Sequence, residues 1–233
     1  MFVLNPNIQI QLTYIPHSNA RIWIIDDVVD NFHEMLDYCF NKAYFNPIGA
    51  EGTLFPGVRD EMPKPYYQLI SALFNRLAMH SQGRLFKRYQ LGKSWLSKVT
   101  VLPENLEIVQ TMPHFDSLSE NHMAAVHYLN ENHLGGTHFY RYKGSSKIHL
   151  SHDDKDTILK MVEQVKQSAD ERRGYINDSD ALFEKVFSVD AKPNRLILYA
   201  GNIMHSANIT SVVDFDKSSP NNRTTINSFF TIG

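Results

Sequence analysis

From about residue 94 onward, the chain is a series of short runs rich in β-branched and aromatic residues: SWLSKVTVL, HMAAVHYLN, GTHFYRY, KVFSVD, RLILYAG and RTTINSFFTI. Turn-forming residues separate them, which is the signature of several strands rather than of long helices. Such a series must bury its apolar faces in a barrel or a sandwich. One helical stretch interrupts it, residues 153–174. That stretch has Asp caps, apolar Ile158, Met161, Val162 and Val165 at helical spacing, and a Gly stop. Before residue 94 the order is different. IWIID at 22–26 reads as a short strand. DDVVDNFHEMLDYCFNKAYF, 26–45, predicts a helix with Val29, Phe32, Leu36 and Phe40 on one face and an Asp-rich start that suits the helix dipole. PYYQLISALFNRLAMH, 65–80, predicts a second, opened by Pro65. Both helices are expected to bury one face against a sheet. The class is α+β, mainly β, in a single domain over 1–233. Residues 1–93 give supporting strands and helices, and residues 94–233 give the core with the helical insertion.

Composition narrows the function classes. The 233 residues are 42% hydrophobic and 21% charged, with a formal net charge of −2. No Lys/Arg-rich run is present, so nucleic acid and anionic membranes are not indicated as partners. No apolar run approaches a membrane span. Cys39 is the single cysteine, which excludes an internal disulfide and suits a reducing, cytoplasmic setting. The start, MFVLNPNIQIQL, lacks the basic-then-apolar pattern of a secretory signal. Nothing in this balance decides between a monomer and a homodimer.

His114 and Asp116 in TMPHFDS stand two residues apart where strand texture begins, so both side chains can point to one face and reach one ion. With 11 His and 15 Asp in the chain, about 0.7 His-x-Asp triplets are expected by chance. A second triplet, His152 and Asp154 in SHDDKD, sits at the start of the predicted insertion helix, where capping explains the Asp. Iron(II) oxygenases use two His and one carboxylate on one side of the metal. His205, after the run RLILYAGNIM, can supply the third ligand, though a surface-loop histidine would look the same. Arg223 opens the last strand. A buried arginine there can hold a carboxylate through two parallel hydrogen bonds, whereas most arginines at strand starts are solvated.

PHFDS, HYLN followed by GGTHFYR, NRLILYAGNIMHS and the Arg-led final strand occur in this order. Together they resemble the iron(II)/2-oxoglutarate dioxygenases of the prolyl-hydroxylase type, and within them a functionally uncharacterised bacterial family. The resemblance covers roughly residues 95–232. It implies a double-stranded β-helix, or jelly-roll barrel, with His114, Asp116 and His205 as the metal triad. It implies Tyr128 and Arg223 on the distal carboxylate of 2-oxoglutarate, with Asn227 lining the same pocket. The implied reaction couples O2 and 2-oxoglutarate to hydroxylation of a protein side chain, an amino acid or another small metabolite. Arg223 lies 18 positions beyond His205, farther than the family pattern, so segment 210–222 reads as an inserted loop and Lys217 becomes a rival anchor. His138 and Tyr140 follow a Gly-Gly pair that can bulge the strand, and either parity is open; one parity lines the substrate cavity. His127 is expected to face away from the site. His122, His133 and His149 are expected at the surface. The rival classes are a barrel metalloenzyme of cupin type that uses no 2-oxoglutarate, and a non-catalytic binding domain.

Overall fold

The computed structural model describes residues 1–80, 86–130 and 134–233. His133 therefore lies outside the described residues.

Among the described residues ten strands form two antiparallel sheets. They are β1 (Gln9–Tyr14), β2 (Arg21–Asp26), β3 (Gly57–Glu61), β4 (Tyr89–Val99), β5 (His122–Tyr128), β6 (Gly136–Tyr142), β7 (Phe183–Asp190), β8 (Leu196–Ala200), β9 (His205–Asn208) and β10 (Thr224–Ile232). Seven run in the order β1-β2-β8-β5-β10-β4-β3, and three in the order β7-β6-β9. The N-terminal part thus contributes two strands of the large sheet, β1 and β3, beyond the predicted 22–26. The sheets do not close into a barrel among the described residues.

Alternation along the strands sorts the core into two layers. Met123, Ala125, Leu196, Leu198, Ile226 and Phe230 face one side of the large sheet, where they pack against Tyr66, Leu69, Ile70, Leu73 and Phe74. These last five belong to helix α2 (Lys64–His80). Ala124, Val126, Tyr128, Ile197 and Tyr199 face the other side and meet Phe139 and Val189 of the small sheet. The site described below lies in this inner layer. His127 faces the helices, as expected from parity, yet it is fully buried there. Tyr66 Oη and Asn194 Oδ1 each lie 3.3 Å from one of its ring nitrogens.

Helix α1 spans only Phe32–Asp37 and continues as a π-helical turn over Tyr38–Lys42. The predicted start at residue 26 is displaced because Asp26 ends β2 in an ion pair with Arg195, at 2.6 Å. Asp27 is left-handed (φ 57°), and the Asn194 side chain occupies both backbone groups of Val29. The insertion helix α3 (Lys155–Gln167) follows a 3₁₀ turn at His152–Asp154 and buries Met161 and Val165. No helix among the described residues is long and apolar enough to cross a membrane.

Candidate metal centre

His114 does not belong to a regular strand; it forms a single antiparallel bridge with His205 at the start of β9. The His114 N–H donates to the His205 carbonyl (2.9 Å), and the His205 N–H donates to the His114 carbonyl (2.8 Å). Directly opposed residues of an antiparallel pair project to the same face. The two imidazoles are therefore neighbours, with ring centroids 4.2 Å apart. Asp116 is held two residues on by its N–H, which donates to the Gly201 carbonyl at 2.7 Å. The turn between β8 and β9 thus grips the His-x-Asp segment and carries the second histidine.

Asp116 Oδ1 lies 3.8 Å from His114 Nε2, and Asp116 Oδ2 lies 3.6 Å from His205 Nε2. One ligand atom from each residue falls within 4.8 Å of the others. Ligands about 2.1 Å from a shared ion and at right angles stand roughly 3 Å apart, so a slight contraction suffices. The fit rests on unsatisfied groups. Asp116 Oδ2 is buried and has no hydrogen-bond partner among the described residues, a condition that costs free energy unless a ligand satisfies it. His205 Nδ1 lies 2.9 Å from the Ile203 carbonyl. With the proton assigned to Nδ1, the Nε2 lone pair faces Asp116, the orientation that ligating histidines need. Two imidazoles and one carboxylate suit a first-row divalent metal.

Burial raises the Asp116 carboxyl above the usual range, against the opposing pull of His205, His122 and Arg59. His114 is held well below the ordinary imidazole range by dehydration, then by His205 and Arg59. Its ring nonetheless keeps 58% of its surface open, against 13% for Asp116 and 6% for His205. A ligand can therefore approach the centre past His114.

The cleft over the triad is lined by Arg59, Thr137, Tyr199, Arg223 and Asn227, with Phe55, Ala124, Val126, Ala207 and Phe229 as its apolar wall. Arg223 is 4% exposed. Its Nη2 donates to the Gly136 carbonyl at 2.9 Å, its Nε is buried without a partner, and no carboxylate among the described residues pairs with it. Gly135 (φ +74°) makes room for this arrangement. A Cβ there would stand 2.1 Å from the Asn208 carbonyl oxygen and 3.6 Å from Arg223 Nε. Asn130 Oδ1 accepts from the Thr224 N–H (2.8 Å) and Asn130 Nδ2 donates to the Asn222 carbonyl (2.6 Å). The YLN run thus fastens both neighbours of Arg223.

Tyr128 lies behind the lining rather than in it. Its hydroxyl is 2.7 Å from Thr137 Oγ1, and its ring centroid is 5.9 Å from the Arg223 guanidinium. Asn227 donates to Ser97 Oγ at 3.2 Å. Lys217 is exposed, and its carbonyl accepts from Lys98 Nζ. The parity left open for His138 and Tyr140 points them away from the triad: Thr137 lines the cleft and Phe139 packs in the inner layer. His138 Nδ1 lies 2.8 Å from Ser188 Oγ, and the Tyr140 hydroxyl donates to the Ile176 carbonyl beneath the insertion. They do not line this cleft. His122 and His149 are half-buried rather than surface residues. His122 stacks on Phe229 with centroids 5.8 Å apart, and His149 Nδ1 is 3.1 Å from Asn202 Oδ1.

Sequence reasoning missed Arg59 and Tyr199. Tyr199 follows from the inward parity of β8, and burial, then Asp116, raises its hydroxyl well above the usual range. Arg59 sits in the run GVRDE between Pro56 and Pro63. Its alternation was readable only once that run was taken as a strand.

These features define an antiparallel β protein with a His-Asp-His cluster at the inner end of its smaller sheet. The chain belongs to DUF6445, described as a family of unknown function, whose model matches residues 6–230. No curated protein matches it. Among solved structures, AviO1 from Streptomyces viridochromogenes Tue57 is 14% identical, with a TM-score of 0.41 over 86% of this chain and 81% of that one. HygX from Streptomyces hygroscopicus, solved with nickel and 2-oxoglutarate bound, is 13% identical, with a TM-score of 0.39 over 91% and 82%. At these scores, fold and function have to be read from this chain's own residues.

Proposed function

We propose that the protein is a 2-oxoglutarate-dependent oxygenase that holds iron(II) through His114, Asp116 and His205. On this reading residues 1–233 act as one unit and the two sheets are the halves of an open double-stranded β-helix. The observation that carries the metal assignment is the buried, partnerless Oδ2 of Asp116 between two imidazoles. The observation that carries the cosubstrate is Arg223, a buried guanidinium lining the same cleft with no carboxylate of its own. An uncompensated buried charge destabilises a fold by about 3–5 kcal/mol, so a bound dicarboxylate is the natural counter-ion.

Iron(II) with 2-oxoglutarate and O2 supplies the oxidation of a substrate C–H bond, with succinate and carbon dioxide released. The chain's own residues bind, orient and exclude water. Arg223 fixes the distal carboxylate, with the Tyr128 ring behind its guanidinium. Asn227 and Ser97 hold the neighbouring wall, while Ala124, Val126 and Phe229 keep it dry. The lone, buried Cys39 fits a reducing cytoplasm. A cupin-type enzyme using no 2-oxoglutarate would leave Arg223 unexplained.

Anaerobic calorimetry with Mn(II), followed by 2-oxoglutarate, tests the reading. One metal per chain and metal-dependent binding of 2-oxoglutarate are expected, followed by succinate formation under air with iron(II) and none under argon. Failure of 2-oxoglutarate to bind the metal-loaded protein would overturn it.

A further inference from the structure

The triad cleft contains a second buried guanidinium that the proposed cosubstrate does not need. Arg59, on β3 at the opposite edge of the large sheet from β1, is 7% exposed and lines the cleft with His114 and Asp116. Its Nε donates to Ser97 Oγ and its Nη1 to Thr53 Oγ1, both at 3.1 Å. Among the described residues its Nη2 makes no hydrogen bond. Phe55 lies flat beneath it, 4.0 Å from ring centroid to guanidinium carbon. Its acidic neighbours are Asp116, in the same cleft, and Glu51, which stands at 3.7 Å, beyond hydrogen-bonding distance, with Oε1 occupied by the Thr53 hydroxyl at 2.7 Å. A purely structural arginine would be expected to close its fork on a carboxylate. Here Nε and Nη1 are pinned to neutral hydroxyls, which fixes the plane of the group and leaves Nη2 for a ligand.

We infer that Arg59 is the substrate-recognition residue of this cleft and that the primary substrate is a carboxylic acid with an apolar body. The inference rests on the oxygenase reading, because Arg223 is assigned there to the cosubstrate and Arg59 remains. With a divalent metal and 2-oxoglutarate bound, Arg59 and Arg223 against Glu51 and Asp116 leave the cleft neutral, so a monocarboxylate adds one negative charge where a phosphate dianion would add two. A single extra negative charge is what one open guanidinium edge can hold, and the apolar wall of the cleft is Phe55, Ala124, Val126, Ala207 and Phe229. That wall suits a hydrocarbon body laid over the triad. Desolvation lowers Arg59 to about 10, which leaves it fully charged at neutral pH.

The test uses the full chain loaded with Mn(II) and saturated with 2-oxoglutarate under argon. The probes are 3-phenylpropionate, hexanoate, L-leucine and L-phenylalanine, each paired with its primary amide. Proton line broadening by the bound Mn(II) reports whether a probe sits beside the metal. At least one acid should be broadened and its amide should not. Arg59→Gln should weaken that acid by about thirtyfold or more, the loss expected when one partner of a buried charge pair is removed. Arg59→Lys should recover part of it. The 2-oxoglutarate dissociation constant of Arg59→Gln should stay within about threefold of wild type, which also shows that the variant is folded. Broadening of acids and amides alike, broadening that survives Arg59→Gln, or no broadening by any acid would overturn the inference while leaving the oxygenase reading intact. If Arg59→Gln abolishes 2-oxoglutarate binding in a protein that still melts like wild type, Arg59 is the cosubstrate anchor and the inference is wrong. Absence of 2-oxoglutarate binding by wild type would instead remove the oxygenase reading itself.

Discussion

His114-x-Asp116 and His152-x-Asp154 are written alike in the chain and are used in different ways. Asp154 is buried at the head of α3 with both oxygens occupied. Oδ2 accepts from the Ser151 N–H at 2.9 Å and from the Ser151 hydroxyl at 3.0 Å, and Oδ1 meets Lys147. His152 beside it is exposed. Asp116 is also largely buried, but its Oδ2 meets nothing, and both neighbouring imidazoles turn their Nε2 atoms toward the carboxylate. A carboxylate that folding has satisfied is a structural group. One that folding buries and leaves unsatisfied calls for an explanation, and between two imidazoles the proposed metal supplies it. The triplet itself carries no such information; the partner inventory does.

The largest expected effect breaks the two triplets apart. Asp116→Ala should lower Mn(II) affinity by a hundredfold or more, since it removes one of three protein ligands and the only charged one. Asp154→Ala should change it by less than about threefold. Anaerobic titration of both variants gives the ratio. Equal losses, or a larger loss for Asp154→Ala, would mean that the metal sits elsewhere.

The same reasoning separates the two cations that are candidates to anchor the proposed cosubstrate. Arg223 is buried with an unpaired Nε, whereas Lys217 is exposed in the loop before Arg223. Wild type should therefore prefer 2-oxoglutarate to 2-oxobutyrate, which lacks the distal carboxylate, by on the order of a hundredfold. Arg223→Gln should lose most of that preference, Arg223→Lys should keep part of it, and Lys217→Gln should be nearly silent. Dissociation constants for both oxo acids with Mn(II) decide it. A preference that survives in Arg223→Gln but collapses in Lys217→Gln would transfer the anchor to Lys217.

How far these residues were legible depended on whether their signal was local. Strands β4 to β8 and β10 show as runs of β-branched and aromatic residues, and helix α2 shows as a periodic apolar face packed on the large sheet. The α1 start was misread because Asp26 and Asp27 look like helix-opening residues, while Arg195, which pairs with Asp26, and Asn194, which binds the backbone of Val28 and Val29, lie far along the chain. His114 and Asp116 could be paired by parity, and His205 by a resemblance of ordered motifs. Arg59 could not be found that way. Its role depends on β3 pairing with β4 so that Arg59 stands opposite Ser97, a contact that no spacing within the run GVRDE encodes. His138 and Tyr140 show the converse, since the Gly-Gly pair left their parity open and only the pairing of β6 with β7 and β9 settled it.

Folding stability should reverse the order of the two aspartates. In metal-free protein Asp154→Ala removes the partner of the Ser151 backbone N–H and should cost about 1 kcal/mol. Asp116→Asn should cost nothing or stabilise, because it removes a buried carboxylate whose Oδ2 had no partner. Urea titration in the presence of a chelator reads both. A clear loss in Asp116→Asn together with none in Asp154→Ala would contradict the distinction between a satisfied and an unsatisfied group.

The smallest effect, and the most specific, is how those differences move with pH. Lys147, then the Ser151 groups, hold the Asp154 carboxyl below its ordinary value of 3.8 despite the opposing effect of burial. The folded state therefore binds that proton less readily than the unfolded chain. The stability that Asp154 contributes is complete above 3.8 and is lost as the pH falls through its lower folded value. Burial raises Asp116 instead, so the folded state binds that proton more readily. Its favourable contribution is complete below 3.8 and disappears as the pH rises through its higher folded value, leaving an ionised carboxylate that destabilises the metal-free protein at neutral pH. Wild type minus Asp154→Asn should therefore shrink on acidification below 3.8, and wild type minus Asp116→Asn should become less favourable as the pH rises above 3.8. Saturating Mn(II) should reverse the second trend alone, because the metal binds the deprotonated carboxylate and couples its affinity to folding. Chemical denaturation of the three proteins across this range, with chelator and with Mn(II), checks it. Parallel pH trends for the two aspartates, or a metal effect on the Asp154 difference, would show that the carboxylates are not distinguished in the way their partners indicate.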